Sequence, residues 1–61
     1  MIALTKLNDT EFILNEDLIE IMEERPDTTI RLTNGNTYIA KETVDEVIKK
    51  IIYFKKQIFN R

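Results

Sequence analysis

The sequence predicts an α+β domain: a small, bent antiparallel sheet, made of an N-terminal hairpin and a three-stranded meander, carrying one C-terminal amphipathic helix. Three observations predict it. Short β-rich runs alternate with turn residues over positions 1–40, Asn34-Gly35 marks a hairpin, and Thr43 opens a long segment with apolar residues at helical spacing.

The helix is the best-defined element. Thr43-Val44-Asp45-Glu46 is the Thr-x-x-Glu pattern in which the hydroxyl and the carboxylate satisfy backbone donors reciprocally at a helix start. Val44, Val47, Ile48, Ile51, Ile52, Phe54, Ile58 and Phe59 then recur on one side, with Asp45, Glu46, Lys49, Lys50, Tyr53, Lys56 and Gln57 on the other. At roughly 100° per residue the apolar arc spans about 160°, more than one small sheet covers. Lys55 lies inside that arc, where it must snorkel to solvent or meet a carboxylate.

In chain order, residues 2–7 and 11–15 read as a hairpin around a two-residue turn, Asn8-Asp9. Pairing Leu7 with Thr10 places Ala3, Leu7, Phe12 and Leu14 on one face and Ile2, Leu4 and Ile13 on the other, so both faces are apolar. Residues 15–25 fit either a helix capped by Asn15 or a strand. A strand at about 18–24, with one helical turn allowed before it, is the better reading, because Pro26-Asp27 then turns the chain into the β-rich run 28–33. Asn34-Gly35 suits a type I′ turn that pairs Leu32 with Thr37 and Ile30 with Ile39. Ile30, Leu32 and Ile39 are thereby expected in the core, with Arg31 and Tyr38 opposite. Residues 36–40 complete the meander, and the helix follows at about 43–59. One domain over residues 1–61 accounts for the whole chain.

A chain of 61 residues has little margin against conformational entropy, and with no Cys and no His neither a disulfide nor the usual zinc ligand sets supplement it. Self-association is the remaining supplement. The expectation is a homo-oligomer with Ile52, Phe54, Lys55 and Phe59 near the contact. The absence of Cys fits a reducing compartment, Met1-Ile2-Ala3-Leu4 does not read as a signal peptide, and no apolar run approaches the ~20 residues of a membrane span. A cytoplasmic chain without a transmembrane segment is expected.

Net charge is −2, and it is unevenly distributed. All eleven acids lie before Ile48, while Lys49, Lys50, Lys55, Lys56 and Arg61 follow without an acid among them. This arrangement complements the helix macrodipole and also offers a basic edge. With Tyr53 exposed among them, Lys49, Lys50 and Lys56 are candidate partner contacts. Nucleic acid is a poor candidate, because the acidic remainder of the chain repels phosphate. Lacking Ser, Cys and His, the sequence has none of the common nucleophile-and-base arrangements, and its single glycine, Gly35, belongs to a turn rather than a phosphate loop. Glu16, Asp17, Glu20, Glu23 and Glu24 read as a solvated face, not a metal or acid/base cluster. No enzyme activity, metal or cofactor is expected.

The ordered series Met1-Ile2-Ala3-Leu4-Thr5-Lys6-Leu7-Asn8, Phe12-Ile13-Leu14-Asn15, Leu18-Ile19-Glu20, Pro26-Asp27-Thr28-Thr29-Ile30 and Leu32-Thr33-Asn34-Gly35, ending in a capped helix, resembles the FlbD/SwrD family of small flagellar-motility proteins. That family usually has Asn-Gly where this chain has Asn8-Asp9, and Thr where Arg25 precedes Pro26. The resemblance implies a non-enzymatic accessory of bacterial flagellar motility, associated with motor power and swarming, whose partner is a flagellar motor protein at the cytoplasmic side. It carries over no catalytic residue. An alternative is a small RNA-binding translational regulator of the carbon-storage type, whose strand opening Met-x-x-Leu-Thr-basic is similar to Met1 to Lys6. The basic strand surfaces and Gly-rich loop of that type are missing here.

Overall fold

A computed structural model describes residues 1–59 of the chain. Five strands, β1 (Ile2–Thr5), β2 (Glu11–Leu14), β3 (Ile19–Glu24), β4 (Thr28–Leu32) and β5 (Thr37–Ala40), precede one helix, α1 (Val44–Phe59). This is the α+β arrangement that the sequence predicts. The bend between hairpin and meander separates the strands into two antiparallel ladders, β1-β2 and β3-β4-β5.

Within residues 15–25 the strand β3 (Ile19–Glu24) is entered through a single 3-10 turn at Glu16–Leu18 that Asn15 caps by accepting the Asp17 N–H. Ile19 pairs with Leu32 and Ile21 with Arg31, so Glu20 is an extra residue in the ladder. That β-bulge rotates the strand and lets Ile19 and Met22, three positions apart, both pack against the core. The helix-like spacing of this segment is the signature of the bulge.

Both hairpins depart from the expected register by one residue, and for the same reason. A type I′ turn needs positive φ at two successive residues, whereas each loop has one: Asp9 at 70° and Gly35 at 89°. Each is a three-residue loop in which a turn is followed by a left-handed residue. Asp9 N–H donates to Lys6 O at 2.9 Å and Lys6 N–H to Thr10 O at 2.8 Å; Gly35 N–H donates to Leu32 O at 2.9 Å and Leu32 N–H to Asn36 O at 2.8 Å. Asn8 and Asn34 support the loops identically, their side-chain oxygens accepting the N–H groups of Thr10 and Asn36.

The slip exchanges faces. Ile2 opposes Leu14 and Leu4 opposes Phe12, so these four residues point to the core, leaving Ala3 opposite Ile13 on the outer face. Ile13 is 61% exposed. The hairpin therefore does not have two equally apolar faces. In the meander Ile30 opposes Tyr38, and Thr29 opposes Ile39, so Tyr38 packs inward while Ile39 is exposed. Tyr38 stacks on Phe12 with centroids 5.9 Å apart, joining the two ladders across the core. Between β4 and the preceding strand, the paired Glu24 and Thr28 leave Arg25, Pro26 and Asp27 as the loop, with Pro26 at its centre; the Arg25-Pro26 peptide is cis.

The core comprises Ile2, Leu4, Leu14, Ile30, Leu32, Ala40 and Val47, with Ile51 and Phe54 of α1 packed against it. Burial of each large aliphatic side chain contributes about 1.5–3 kcal/mol. Helix α1 begins with the predicted capping box: Glu46 N–H donates to Thr43 Oγ1 at 3.1 Å, and Thr43 N–H to Glu46 Oε1 at 2.8 Å. A third helix-start donor, Val44 N–H, reaches Glu24 Oε1 at the end of β3, at 2.9 Å.

Candidate protein-contact site

Among the described residues no group of His, Cys, Asp or Glu is arranged to hold a metal ion, and no helix is long and apolar enough to cross a membrane. Of the acids expected on a solvated face, Asp17, Glu20, Glu23 and Glu24 are exposed and Glu16 alone is buried, and all but Glu23 have a structural partner among the described residues. Glu16 is buried, pairing with the Met1 α-ammonium at 2.5 Å and Lys55 at 3.3 Å; Asp17 receives Lys55 at 2.6 Å; Glu20 accepts two N–H groups of Arg31; and Glu24 caps α1. Hydrogen bonding from the Met1 ammonium, opposed by burial and aided by Lys55, holds the Glu16 carboxyl below its ordinary range. Hydrogen bonds first to Asp17 and then to Glu16 raise Lys55 above the ordinary lysine range.

The surface suited to protein contact lies where α1 runs alongside β1. A groove of about 420 Å³ has Met1, Ile2 and Ala3 along one wall and Lys49, Lys50, Tyr53, Phe54 and Gln57 along the other. The β1 wall is positioned by Glu42. Its carboxylate accepts the Thr5 N–H at 2.9 Å and the Thr5 hydroxyl at 2.8 Å, while Lys41 N–H donates to Thr5 O at 2.8 Å. This lashing fixes the chain between β5 and α1 against the end of β1 and sets the helix beside the strand. Burial opposes ionisation of Glu42, but the Thr5 hydrogen bonds, with Lys50 adding favourable charge, leave its carboxyl below the ordinary range.

Of the predicted partner contacts, Lys49, Lys50 and Tyr53 line the groove, with Tyr53 66% exposed; Lys56 is exposed but not part of the lining. Lys49 pairs with Asp45 one turn earlier, at 3.1 Å, whereas Lys50 forms no ion pair among the described residues. Of the residues predicted near a contact between copies, Ile52 is half exposed, Phe54 packs partly against the core and also faces the groove, and Lys55 is engaged by Asp17 and Glu16 of its own chain. Ile48, 41% exposed, lies one turn before Ile52 and extends its stripe. The Phe59 side chain and Arg61 lie outside the described residues. The contribution of Met1 to Ala3 to the groove was missed in the sequence because it depends on the hairpin register.

The family model for flagellar and swarming motility proteins, FlbD, matches residues 1–59. The chain belongs to the FlbD family. No curated protein and no solved structure shows significant similarity to it. The FlbD description names a cellular process, flagellar and swarming motility.

Proposed function

We propose that this FlbD-family chain is a non-enzymatic accessory of the bacterial flagellar motor that supports motor power and swarming by binding a motor protein at the cytoplasmic side. The observation that carries this reading, beyond family membership, is the groove between β1 and α1: apolar walls, an exposed tyrosine and Lys50, which has no ion-pair partner among the described residues, form a contact surface. Aromatic anchors with a charged rim are a common composition for protein interfaces. Deleting the gene is expected to lower swimming torque and abolish swarming while leaving filaments assembled. Unchanged torque and swarming in the deletion strain would overturn the reading.

The chain acts as a homo-oligomer in this reading. Ile48 and Ile52 leave an apolar stripe on the outer side of α1, away from Val47 and the core. Both side chains are already about half buried, so covering the rest contributes about half of the ~1.5–3 kcal/mol of a full burial each, a sizeable share of a small domain's margin. Light scattering over a dilution series is expected to show dissociation, displaced to higher concentration by Ile52→Asp. A monomer at every concentration, with an unchanged melting temperature, would exclude it.

A further inference from the structure

We infer that the groove between β1 and α1 takes an extended, acidic peptide segment of a partner protein, which adds to the sheet as a third strand at the open edge of β1. The inference rests on the contact function just proposed and specifies its chemistry.

The backbone geometry comes first. In an antiparallel pair, successive residues direct their N–H and C=O groups alternately toward the partner strand and away from it. Lys6 N–H bonds across the hairpin to Thr10 O, so Thr5 and Ala3 direct their backbone groups away from β2. Thr5 confirms the alternation: its N–H donates to Glu42 and its carbonyl accepts from Lys41, both outside the hairpin. Two residues earlier, the Ala3 N–H and C=O face the same way and have no partner among the described residues. Lys41 and Glu42 thus close one end of the β1 edge and leave the next register position open.

Other strand edges exist in the molecule, along β2 and at both sides of the meander. The Ala3 edge differs because it lies along one wall of a groove whose other wall is the helix. A segment entering that groove in extended conformation meets a donor and an acceptor at Ala3 and stacks alternate side chains against Tyr53 and Phe54. Charge selects among such segments. The wall bears Lys49 and Lys50; Glu42 is already committed to Thr5, and Glu46, one turn before Lys50, accepts the Thr43 N–H, so an incoming carboxylate finds in Lys50 a lysine without an ion-pair partner among the described residues. The occupant is therefore an acidic, partly apolar strand of another protein.

The test pans a display library of random octapeptides on the full chain and measures the selected peptides by titration. Acidic, alternating sequences are expected, and on binding the Ala3 amide should become protected from hydrogen exchange. Ala3→Pro removes the edge N–H at a position where an edge strand tolerates proline, and should weaken binding about threefold to tenfold, as loss of one hydrogen bond implies. If Ala3→Pro fails to fold, the chemically synthesised chain with an N-methyl group at Ala3 makes the same removal. Lys50→Gln should weaken acidic peptides selectively. Selection of peptides without acids, or binding that leaves Ala3 exchange unchanged, would overturn the inference, as would Ala3 protection arising from self-association at matching concentration without peptide. Because no motor component enters the assay, its failure leaves the motility reading standing, and a null deletion phenotype leaves the peptide result standing.

Discussion

The carboxylate of Glu42 receives both the backbone N–H and the hydroxyl of Thr5, at 2.9 and 2.8 Å, across 37 positions of sequence. This pair ties the first strand to the segment that launches the helix, and the contact groove is the space left beyond it.

Glu42→Ala should therefore be among the costlier substitutions outside the core. It leaves the Thr5 donors without their charged acceptor, at a cost of about 1–3 kcal/mol. In a domain this small that lowers the melting temperature by about 4–8 °C for each kcal/mol, measured at fixed protein concentration. Thr5→Val, which removes the hydroxyl and keeps the N–H, should cost less than Glu42→Ala. Equal melting temperatures for wild type and Glu42→Ala would contradict the role given to this pair.

The two left-handed loop residues give predictions of opposite sign. Gly35 has open space around the position of a Cβ, so Gly35→Ala is penalised through its φ of 89° alone, by about 1–2 kcal/mol. Asp9 has a φ of 70° and pays that conformational cost already. Asp9→Gly relieves it while losing an exposed pair with Lys41, worth about 0–1 kcal/mol, so the variant should be unchanged or slightly more stable. Denaturant titration of both variants checks the signs.

The same loops show what was legible in the sequence and what was not. The capping box of α1, the one-turn entry into β3 and the division into hairpin, meander and helix follow from local patterns, because each is decided by residues within a few positions of one another. Register does not. Asn34-Gly35 fits a two-residue turn with both residues at positive φ and equally a three-residue loop with Gly35 alone at positive φ, and the choice reverses the faces of Tyr38 and Ile39. Lys49, Lys50 and Tyr53 were recognisable from their side of the helix. Ala3 was not, since its backbone direction depends on the register of β1 against β2.

Acid should destabilise the fold through Glu16 and Glu42. Both carboxyls lie below their ordinary values in the folded chain, so the unfolded chain binds protons more readily. Their contribution is complete above the unfolded value of about 4.3 and is lost as pH falls through the lowered folded values. At the other extreme, the raised Lys55 stabilises fully below its unfolded value and loses that contribution as pH rises through the folded one. Glu16→Gln should flatten the acid limb of a melting-temperature profile. An acid limb identical to wild type in that variant would remove Glu16 from the account.

The central claim is that the groove between β1 and α1 is the surface through which this chain serves motility. Its most direct test is swimming torque and swarm expansion in a deletion strain complemented with the Lys50→Gln, Tyr53→Ala double variant, at wild-type protein level and melting temperature, beside Ile13→Thr on the outer face of the hairpin. The groove variant is predicted to behave like the deletion, while Ile13→Thr restores motility. Full torque and swarming with the groove variant would contradict the claim.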